Sequence, residues 1–293
     1  MATCYRHPSR ETGVSCSNCG RPICPDCMTS SPVGMRCPEC ASQRTKVVRV
    51  REMPSGPILT YTLIAINVLV FLAEGKGALS FSGSSTGSLY LKGALLGSSE
   101  ALPGEGVAYG DWWRIVTSGF LHENLLHIAF NMWVLYYLGS MLEPALGRLR
   151  FGLIYAVSLL CGAFGALLVS PHVLTVGASG AIFGVMGAAA VEVRARQIPL
   201  MQSGIGGLIL INLIISFTLP GISWGGHIGG LIGGAACAAV LRYGDVHRNR
   251  ALALAGAAAI GVAAFAGSIA TAHSSKPEGL GGAGPATLVS PEQ

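Results

Sequence analysis

The amino-acid sequence predicts an all-α polytopic membrane protein that carries a small zinc-binding domain at its N-terminus. Only 11% of its 293 residues are Asp, Glu, Lys or Arg, whereas soluble domains contain about 25%. Seven apolar segments follow one another with almost no internal charge. Seven of the nine cysteines lie in the first forty residues. A chain this apolar needs the bilayer as its solvent. The cysteine-rich region has few apolar residues, so its fold must be stabilised in another way.

Residues 1–42 form the first predicted domain, in which cysteines and one histidine occur in pairs. Two residues separate the members of each pair, which is the usual spacing of zinc ligands, and eight ligands suffice for two tetrahedral sites. A region of this size with few apolar residues should not fold without metal. The zinc ions are therefore expected to be structural. The pairs are Cys4/His7, Cys16/Cys19, Cys24/Cys27 and Cys37/Cys40.

The pairing of these ligands stays open at the level of sequence. Cross-braced pairing joins Cys4, His7, Cys24 and Cys27 in one site and leaves Cys16, Cys19, Cys37 and Cys40 for the other. Sequential pairing instead joins Cys4, His7, Cys16 and Cys19. Disulfides are the competing interpretation, but a histidine in pair register favours metal, and a reducing compartment disfavours disulfides.

A basic linker, residues 43–56, precedes a predicted membrane domain of residues 57–271, and a tail of residues 272–293 is expected to be disordered. A spanning helix needs about 20 mostly apolar residues, and a soluble helix would show a polar face. The first segment begins too late for a cleavable signal peptide and should be an uncleaved span. The seven segments are 57–73, 123–142, 151–169, 178–193, 199–219, 225–241 and 251–271.

Basic residues occur on alternate sides of the predicted bundle. The loops 170–177 and 220–224 contain neither Lys nor Arg. The positive-inside rule therefore places the N-terminus and the zinc domain in the cytoplasm and the C-terminus outside. A net charge of +5 is small and does not indicate nucleic-acid binding. The basic residues that set this orientation are Arg44, Lys46, Arg49, Arg51, Arg148, Arg150, Arg194, Arg196, Arg242, Arg248 and Arg250.

Polar side chains inside a spanning helix are costly and indicate a functional site. Ser179 opens the fourth segment and His227 opens the sixth. His127 and Asn131 lie near the start of the second segment, just after His122. All three segments enter from the outer side, so these side chains are expected to share one depth in the membrane.

This grouping predicts nucleophilic catalysis. A serine hydroxyl is a weak nucleophile until a neighbouring base takes its proton, and the imidazole of His227 titrates near neutral pH. No carboxylate lies near it in the spans, so a Ser179–His227 dyad is expected rather than a triad. Asn131 and the backbone N–H of Ser179 are candidate donors to an oxyanion. Glycines at positions 180, 184, 187, 226, 230 and 234 would let the fourth and sixth helices approach closely.

Over residues 57–241 these features together resemble the rhomboid intramembrane serine proteases. Gly177-Ala178-Ser179-Gly180 resembles the family's GxSG nucleophile motif. The remaining similarities involve His227, Gly230 and Gly234 (HxxGxxxG), His122, His127 and Asn131 (HxxxxHxxxN), Trp113-Arg114 (the WR pair of the first loop), and Gly139, Glu143 and Arg148 (the turn after the second span). The family usually has alanine where this chain has Gly226.

The resemblance implies a rhomboid-like six-helix core plus a seventh C-terminal transmembrane helix. It implies a dyad in a water-filled cavity that opens outward, an oxyanion hole formed by His127, Asn131 and the Ser179 N–H, and catalysis without a cofactor. Substrates would be membrane proteins cut in or near a transmembrane segment, admitted past residues 199–219 and 220–224. The N-terminal domain is similar to a B-box-type zinc finger, which is expected either to bind a cytoplasmic protein partner or to act as a stiff cap.

Two other functions compete with proteolysis. Some members of the resembled family bind membrane proteins without cutting them, although such members typically lack the serine or the histidine. A transporter is disfavoured, because the polar residues cluster at outer helix ends rather than at a midplane between internal repeats.

Overall fold

The computed structural model describes residues 2–42, 56–75 and 87–276. Most of the predicted basic linker (43–56) and most of the predicted disordered tail (272–293) lie outside these ranges. The chain divides into two compact units, Met1–Met53 and Pro54–Gln293.

The N-terminal unit consists of short elements around a core of cysteines. Strand β1 (Ala2–Thr3) pairs antiparallel with β2 (Glu11–Thr12), and β3 (Thr29–Ser31) pairs antiparallel with β4 (Gly34–Arg36). A single turn of helix, α1 (Pro38–Ser42), follows. Ile23 is the one aliphatic side chain among the buried residues of its core cluster, and the others are cysteines. Such a core buries too little apolar surface to be stable alone.

The second unit is a helical bundle, and each of the seven predicted apolar segments contains a helix. The helices of this unit are α2 (Ile58–Ala73), α3 (Ser88–Gly93), α4 (Arg114–Thr117), α5 (Leu125–Leu146), α6 (Arg148–Val169), α7 (Ser179–Ala195), α8 (Ile205–Thr218), α9 (Trp224–Val246) and α10 (Arg250–Ser274). The helix of the fifth predicted segment, α8, begins at Ile205 rather than at residue 199. Pro199 begins a turn, and Gly204 adopts a left-handed conformation with φ +79°.

Among the described residues, four helices are long and apolar enough to cross a membrane, namely α5, α6, α9 and α10. Helices α2 and α8 are apolar but shorter, and α7 ends in a charged turn that contains Glu192 and Arg194. The protein is therefore an all-α polytopic membrane protein, as its composition predicted.

Helix α9 occupies the middle of the bundle, where it packs against α6, α7 and α10. Its glycines make this possible. A Cβ atom added to Gly230 would overlap the carbonyl oxygen of Gly180, and one added to Gly234 would overlap that of Gly184. The backbones of α7 and α9 thus touch, which the glycine spacing predicted.

The first loop is organised around a buried arginine. Arg114 is only 2% exposed at its side chain and forms ion pairs with Glu105 at 2.7 Å and Asp111 at 2.9 Å. Its guanidinium also donates to the carbonyl oxygens of Leu91 at 2.6 Å and Ala94 at 3.0 Å. The arginine of the WR pair therefore connects the segment around Leu91 to the segment around Glu105. Its neighbour Trp113 stays exposed.

A buried carboxylate joins the start of α2 to the end of α5. Glu143 accepts hydrogen bonds from the backbone N–H groups of Leu59 at 2.8 Å and Thr60 at 2.7 Å, and from the Thr60 hydroxyl at 2.7 Å. These N–H groups belong to the first turn of α2, where backbone N–H groups have no acceptors within their own helix. Gly139 lies one turn earlier, where any side chain would collide with Thr60.

Candidate active site and metal-binding groups

Ser179 is the first residue of α7, so its backbone N–H points out of the helix N-terminus. The preceding loop turns sharply at Gly177, which has φ +126°, a conformation that favours glycine. A hydrogen bond from the Gly177 N–H to the carbonyl of Ser118, 2.9 Å long, anchors this turn to the end of the first loop. The Ser179 side chain is partly buried and lines a cavity.

His227 lies in the first turn of α9 and faces Ser179. The hydroxyl of Ser223 caps this helix by accepting from the Gly226 N–H at 3.3 Å. The His227 Nε2 atom lies 2.8 Å from the Ser179 Oγ atom. Phe183, one helical turn beyond Ser179, stacks on the imidazole with ring centroids 4.2 Å apart and planes 14° from parallel. His227 is only 8% exposed, and the stacking holds its imidazole in a fixed plane.

The second imidazole nitrogen has a partner that sequence reasoning missed. The Nδ1 atom of His227 lies 2.6 Å from the hydroxyl oxygen of Ser216, on α8. Ser216 and Asn212 are buried polar residues four apart in an otherwise apolar helix, so they share one face. That pattern, together with the general cost of intramembrane polar groups, was the signal that could have identified Ser216. Phe183 gave no such signal.

The expected oxyanion donors lie at the same cavity. His127 lies beside the Gly177 turn, with its ring edge 2.9 Å from the position that a Gly177 Cβ atom would take. Asn131 is buried, and its side-chain amide donates to the His127 carbonyl at 2.9 Å. One amide hydrogen of Asn131 remains for another acceptor. His122 is buried behind His127, with ring centroids 5.1 Å apart, and is not among the cavity-lining residues.

The cavity has a volume of about 380 Å³ and lies between α5, α6, α7, α8 and α9. Its wall includes the polar side chains of His127, Asn131, Ser179, Ser216 and His227, and apolar residues such as Phe130 and Leu219. An arrangement of this kind places a nucleophile, a base and hydrogen-bond donors around one space that can hold a peptide group and water.

These features define a multi-pass membrane protein with a serine–histidine pair set among its helices. The Rhomboid domain profile matches residues 109–244, and the chain belongs to the rhomboid family. It is 37% identical to the rhomboid protease GluP of Bacillus subtilis over 188 residues, which cover 63% of this chain but only 35% of GluP. It is also 37% identical to the rhomboid protein YdcA of the same organism over 133 residues, covering 44% of this chain and 67% of YdcA.

The family also contains members named as inactive. The chain is 34% identical over 126 residues to the Inactive RHOMBOID-like protein 8 of Arabidopsis thaliana, covering 41% of this chain and 35% of that protein. Membership of the family therefore fixes the fold and leaves the activity to be argued from the site.

Two groups of potential metal ligands lie in the N-terminal unit. In each group, one ligand atom from every member lies within 4.8 Å of the others. None of the nine cysteines forms a disulfide. The first group is Cys4, His7, Cys24 and Cys27, and the second is Cys16, Cys19, Cys37 and Cys40. In the structure these candidate ligands are grouped in the cross-braced rather than the sequential arrangement.

The donor sets fit zinc. The Sγ atoms of Cys19 and Cys37 are 3.7 Å apart, and tetrahedral ligands with Zn–S bonds of about 2.3 Å are about 3.8 Å apart. The backbone N–H of Cys37 donates to the Sγ atom of Cys16 at 3.3 Å, which lowers the pKa of that thiol to about 6. A thiolate is the form that binds metal, so these residues could hold two structural zinc ions.

Proposed function

We propose that the chain is an intramembrane serine endopeptidase that cuts other membrane proteins in or near their transmembrane segments. The observation that carries this proposal is the 2.8 Å separation between Ser179 Oγ and His227 Nε2. Such a distance allows the imidazole to take the hydroxyl proton as the oxygen attacks a carbonyl carbon.

The reaction would proceed through an acyl-enzyme. Ser179 Oγ forms a bond to the scissile carbonyl carbon while its proton passes to His227 Nε2. The same proton then goes to the leaving amine as the peptide bond breaks. A water molecule, deprotonated by His227, hydrolyses the ester and restores Ser179. The cavity supplies the space that this water needs.

Three groups support stabilisation of the oxyanion. The first turn of α7 presents N–H groups without intrahelical partners, starting with Ser179, and the positive end of the helix dipole points the same way. The His127 ring and the remaining amide hydrogen of Asn131 line the same space. Donors of this kind act on the charge that develops in the transition state.

The access route for a substrate runs between α5 and α8. Phe130 of α5 and Leu219, which directly follows the last residue of α8, both line the cavity, and α8 packs only lightly on α7 and α9. The outward face of α8 is apolar, with Leu210, Ile214 and Phe217 exposed. A transmembrane helix that arrives through lipid would meet this side first. Its peptide groups must leave the helix to reach Ser179, so a local helix-breaking residue should favour cleavage.

The predicted orientation places the site near the outer surface and the zinc unit in the cytoplasm. The proposed domains are residues 1–42 as a zinc finger, 43–56 as a linker and 57–271 as the membrane domain. With both zinc ions serving structure, the N-terminal unit takes no part in catalysis. Its proposed role is to bind a cytoplasmic protein.

A silent membrane-protein binder is the second candidate, because one relative is named as inactive. The two functions differ at Ser179. An active enzyme should react covalently with a fluorophosphonate probe at this residue, and a silent binder should not.

The test uses the full-length protein in proteoliposomes with a model transmembrane substrate. Wild-type protein should cleave the substrate and be labelled by the probe, and Ser179→Ala and His227→Ala should each abolish cleavage while the protein remains folded. Ser268→Ala, a buried serine on α10, serves as the control that should retain activity. Cleavage by Ser179→Ala at the wild-type rate would overturn the proposal. A wild-type protein that binds the substrate without cleavage or labelling would support the silent binder.

A further inference from the structure

The hydroxyl of Ser216 makes two short contacts at once. Its Oγ atom lies 2.6 Å from the carbonyl oxygen of Asn212, one turn earlier in α8, and 2.6 Å from the His227 Nδ1 atom. Ser216 is only 3% exposed, so bulk water has little access to either contact. A serine hydroxyl carries a single hydrogen and two lone pairs, which limits how both contacts can be satisfied.

The direction of each hydrogen bond follows from these limits. A backbone carbonyl only accepts, so the contact with Asn212 uses the Ser216 hydrogen, as serines in helices commonly do. The Ser216 oxygen must then accept in its contact with His227. The imidazole therefore carries a hydrogen on Nδ1, and in the neutral ring Nε2 keeps its lone pair.

We infer that Ser216 is a positioning residue that holds His227 in the Nδ1–H tautomer, the form whose Nε2 can take the proton of Ser179. A hydroxyl anchored to the α8 backbone thus performs the orienting task that a buried carboxylate performs in serine triads. The inference rests on the proposed function only for its catalytic consequence, because the tautomer itself is a property of the resting protein.

Stacking on Phe183 does not select the tautomer of His227, so the hydrogen bond with Ser216 must select it. Phe183 fixes the plane of the imidazole, but the plane is the same for both tautomers. Without Ser216, the Nδ1–H group would be buried without an acceptor, which is costly. The ring would then populate the Nε2–H tautomer, in which Nε2 donates to Ser179 and cannot act as its base.

The position of Ser216 also couples the base to the proposed access route. Ser216 lies on α8, whereas Ser179 and His227 lie on α7 and α9. A displacement of α8 that admits a substrate would change the Ser216–His227 contact directly. The hydrogen bond is expected in the closed bundle and must re-form for each catalytic cycle.

The experiment reads the tautomer by nitrogen NMR in protein that carries ¹⁵N-labelled histidine. The chain has seven histidines, and the signals lost in His227→Gln identify the one of interest. In the wild type we expect a protonated Nδ1 and an unprotonated Nε2. In Ser216→Ala we expect a mixture of tautomers, with fluorophosphonate labelling of Ser179 at least about tenfold slower, since general-base catalysis contributes about 10²–10⁴-fold.

Two matched variants separate positioning from folding. Ser216→Thr keeps the hydroxyl and should restore the Nδ1–H tautomer and most of the labelling rate. Ser268→Ala removes a buried hydroxyl that makes the same bond to the carbonyl four residues earlier, at 2.8 Å on α10, and should change neither readout. Thermal unfolding in detergent shows which variants remain folded.

The experiment tests the positioning role of Ser216 and the proposed protease function separately. A wild-type His227 in the Nε2–H tautomer would overturn the positioning role, even if Ser216→Ala failed to fold. So would a folded Ser216→Ala that kept a pure Nδ1–H signal and the full labelling rate. A wild type with the Nδ1–H tautomer, lost in Ser216→Ala, but with neither cleavage nor labelling would refute the proposed function and leave the positioning role standing.

Discussion

The backbone N–H of Gly177 donates a 2.9 Å hydrogen bond to the carbonyl of Ser118, which joins the turn before Ser179 to the end of the first loop. Leu95 and Thr175 reinforce this connection by exchanging two backbone hydrogen bonds of 2.9 Å. The segment that carries the candidate nucleophile is therefore held from two sides by the loop that Arg114 organises. Residues far from Ser179 in sequence should consequently influence its reactivity.

Arg114→Ala should destabilise the membrane unit and slow labelling of Ser179. The substitution removes the ion pair of the Asp111 carboxylate, which is 19% exposed. It also removes the guanidinium donor from the carbonyl oxygens of Leu91 and Ala94. Breaking a buried ion pair costs about 3–5 kcal/mol, and we expect about 3 kcal/mol because the Glu105 carboxylate is 43% exposed. Denaturant titration in detergent measures the free energy of unfolding.

Arg150→Ala is the matched control for that experiment. Arg150 pairs with Asp245 at 2.6 Å at the other end of the bundle, where the Asp245 side chain is 50% exposed. Exposed pairs contribute about 0–1 kcal/mol, so this variant should stay close to the wild type. Equal losses in the two variants would show that the first loop does not depend on Arg114.

Glu143→Ala should loosen the start of α2 without removing the candidate catalytic pair. The change leaves the Leu59 and Thr60 N–H groups and the Thr60 hydroxyl without their acceptor. Unsatisfied buried groups cost about 1–3 kcal/mol each, so the free energy of unfolding should fall by at least about 2 kcal/mol. Glu143→Gln keeps one acceptor oxygen and should lose less. A Glu143→Gln variant as unstable as Glu143→Ala would argue against hydrogen bonding as the cause.

Gly234→Ala should reduce cleavage at least about tenfold, because displacement by about 1 Å at a catalytic site can cost about 10²-fold. The added methyl group would collide with the Gly184 backbone and force α7 and α9 apart, and these helices carry Ser179 and His227. Gly207→Ala, the same substitution at an open position on α8, should leave cleavage unchanged. The initial rate in proteoliposomes is the readout, and comparable rates for the two variants would contradict tight helix contact as the requirement.

Zinc content tests the cross-braced grouping in full-length protein. A variant that replaces Cys4, His7, Cys24 and Cys27 together removes one site under cross-bracing and should retain one zinc ion per chain. Sequential pairing would lose ligands from both sites and retain none. Elemental analysis after purification gives the count, with the wild type expected to hold two ions.

Chelation of the wild type provides a second check on the metal. Removal of zinc should unfold the N-terminal unit, because its core holds one buried aliphatic residue, Ile23, and metal binding supplies its folding free energy. Protease sensitivity of residues 1–42 should rise, while labelling of Ser179 should not change. Undiminished protease resistance after complete metal removal would contradict this account.

The elements that sequence reasoning predicted well are those with a local signal. Each apolar segment became a helix, since a bilayer leaves the backbone few other ways to satisfy its polar groups. The largest error in a helix start, at α8, arose where Pro199 and Gly204 override an apolar pattern. Ser179 and His227 stood out because polar residues are rare in spans, and the structure sets them 2.8 Å apart. Their catalytic role remains a prediction.

Other features of the site had a weak local signal or none. Ser216 and Asn212 are polar residues four apart in a largely apolar helix, but only the packing of α8 beside α9 brings Ser216 to His227. Phe183 was one of many apolar residues, and only the approach of α7 to α9 stacks it on the imidazole. Glu143 and Arg114 were recognised through the resemblance to a family, but their partners are 84 and 9 residues away in sequence.

The sequence by itself determined that this protein lies in a membrane, where its main helices are, and which eight residues are candidate zinc ligands. It also identified the residues able to act as nucleophile and base. Hydropathy, ligand spacing and rare polar groups are properties of short stretches of chain, so they can be read without the fold. Only the tertiary structure decided which cysteines share a site, which nitrogen of His227 faces Ser179, and that Ser216 engages the other nitrogen. Each of these depends on distances between segments remote in sequence, and such distances are set by packing, here by glycines that let helix backbones touch.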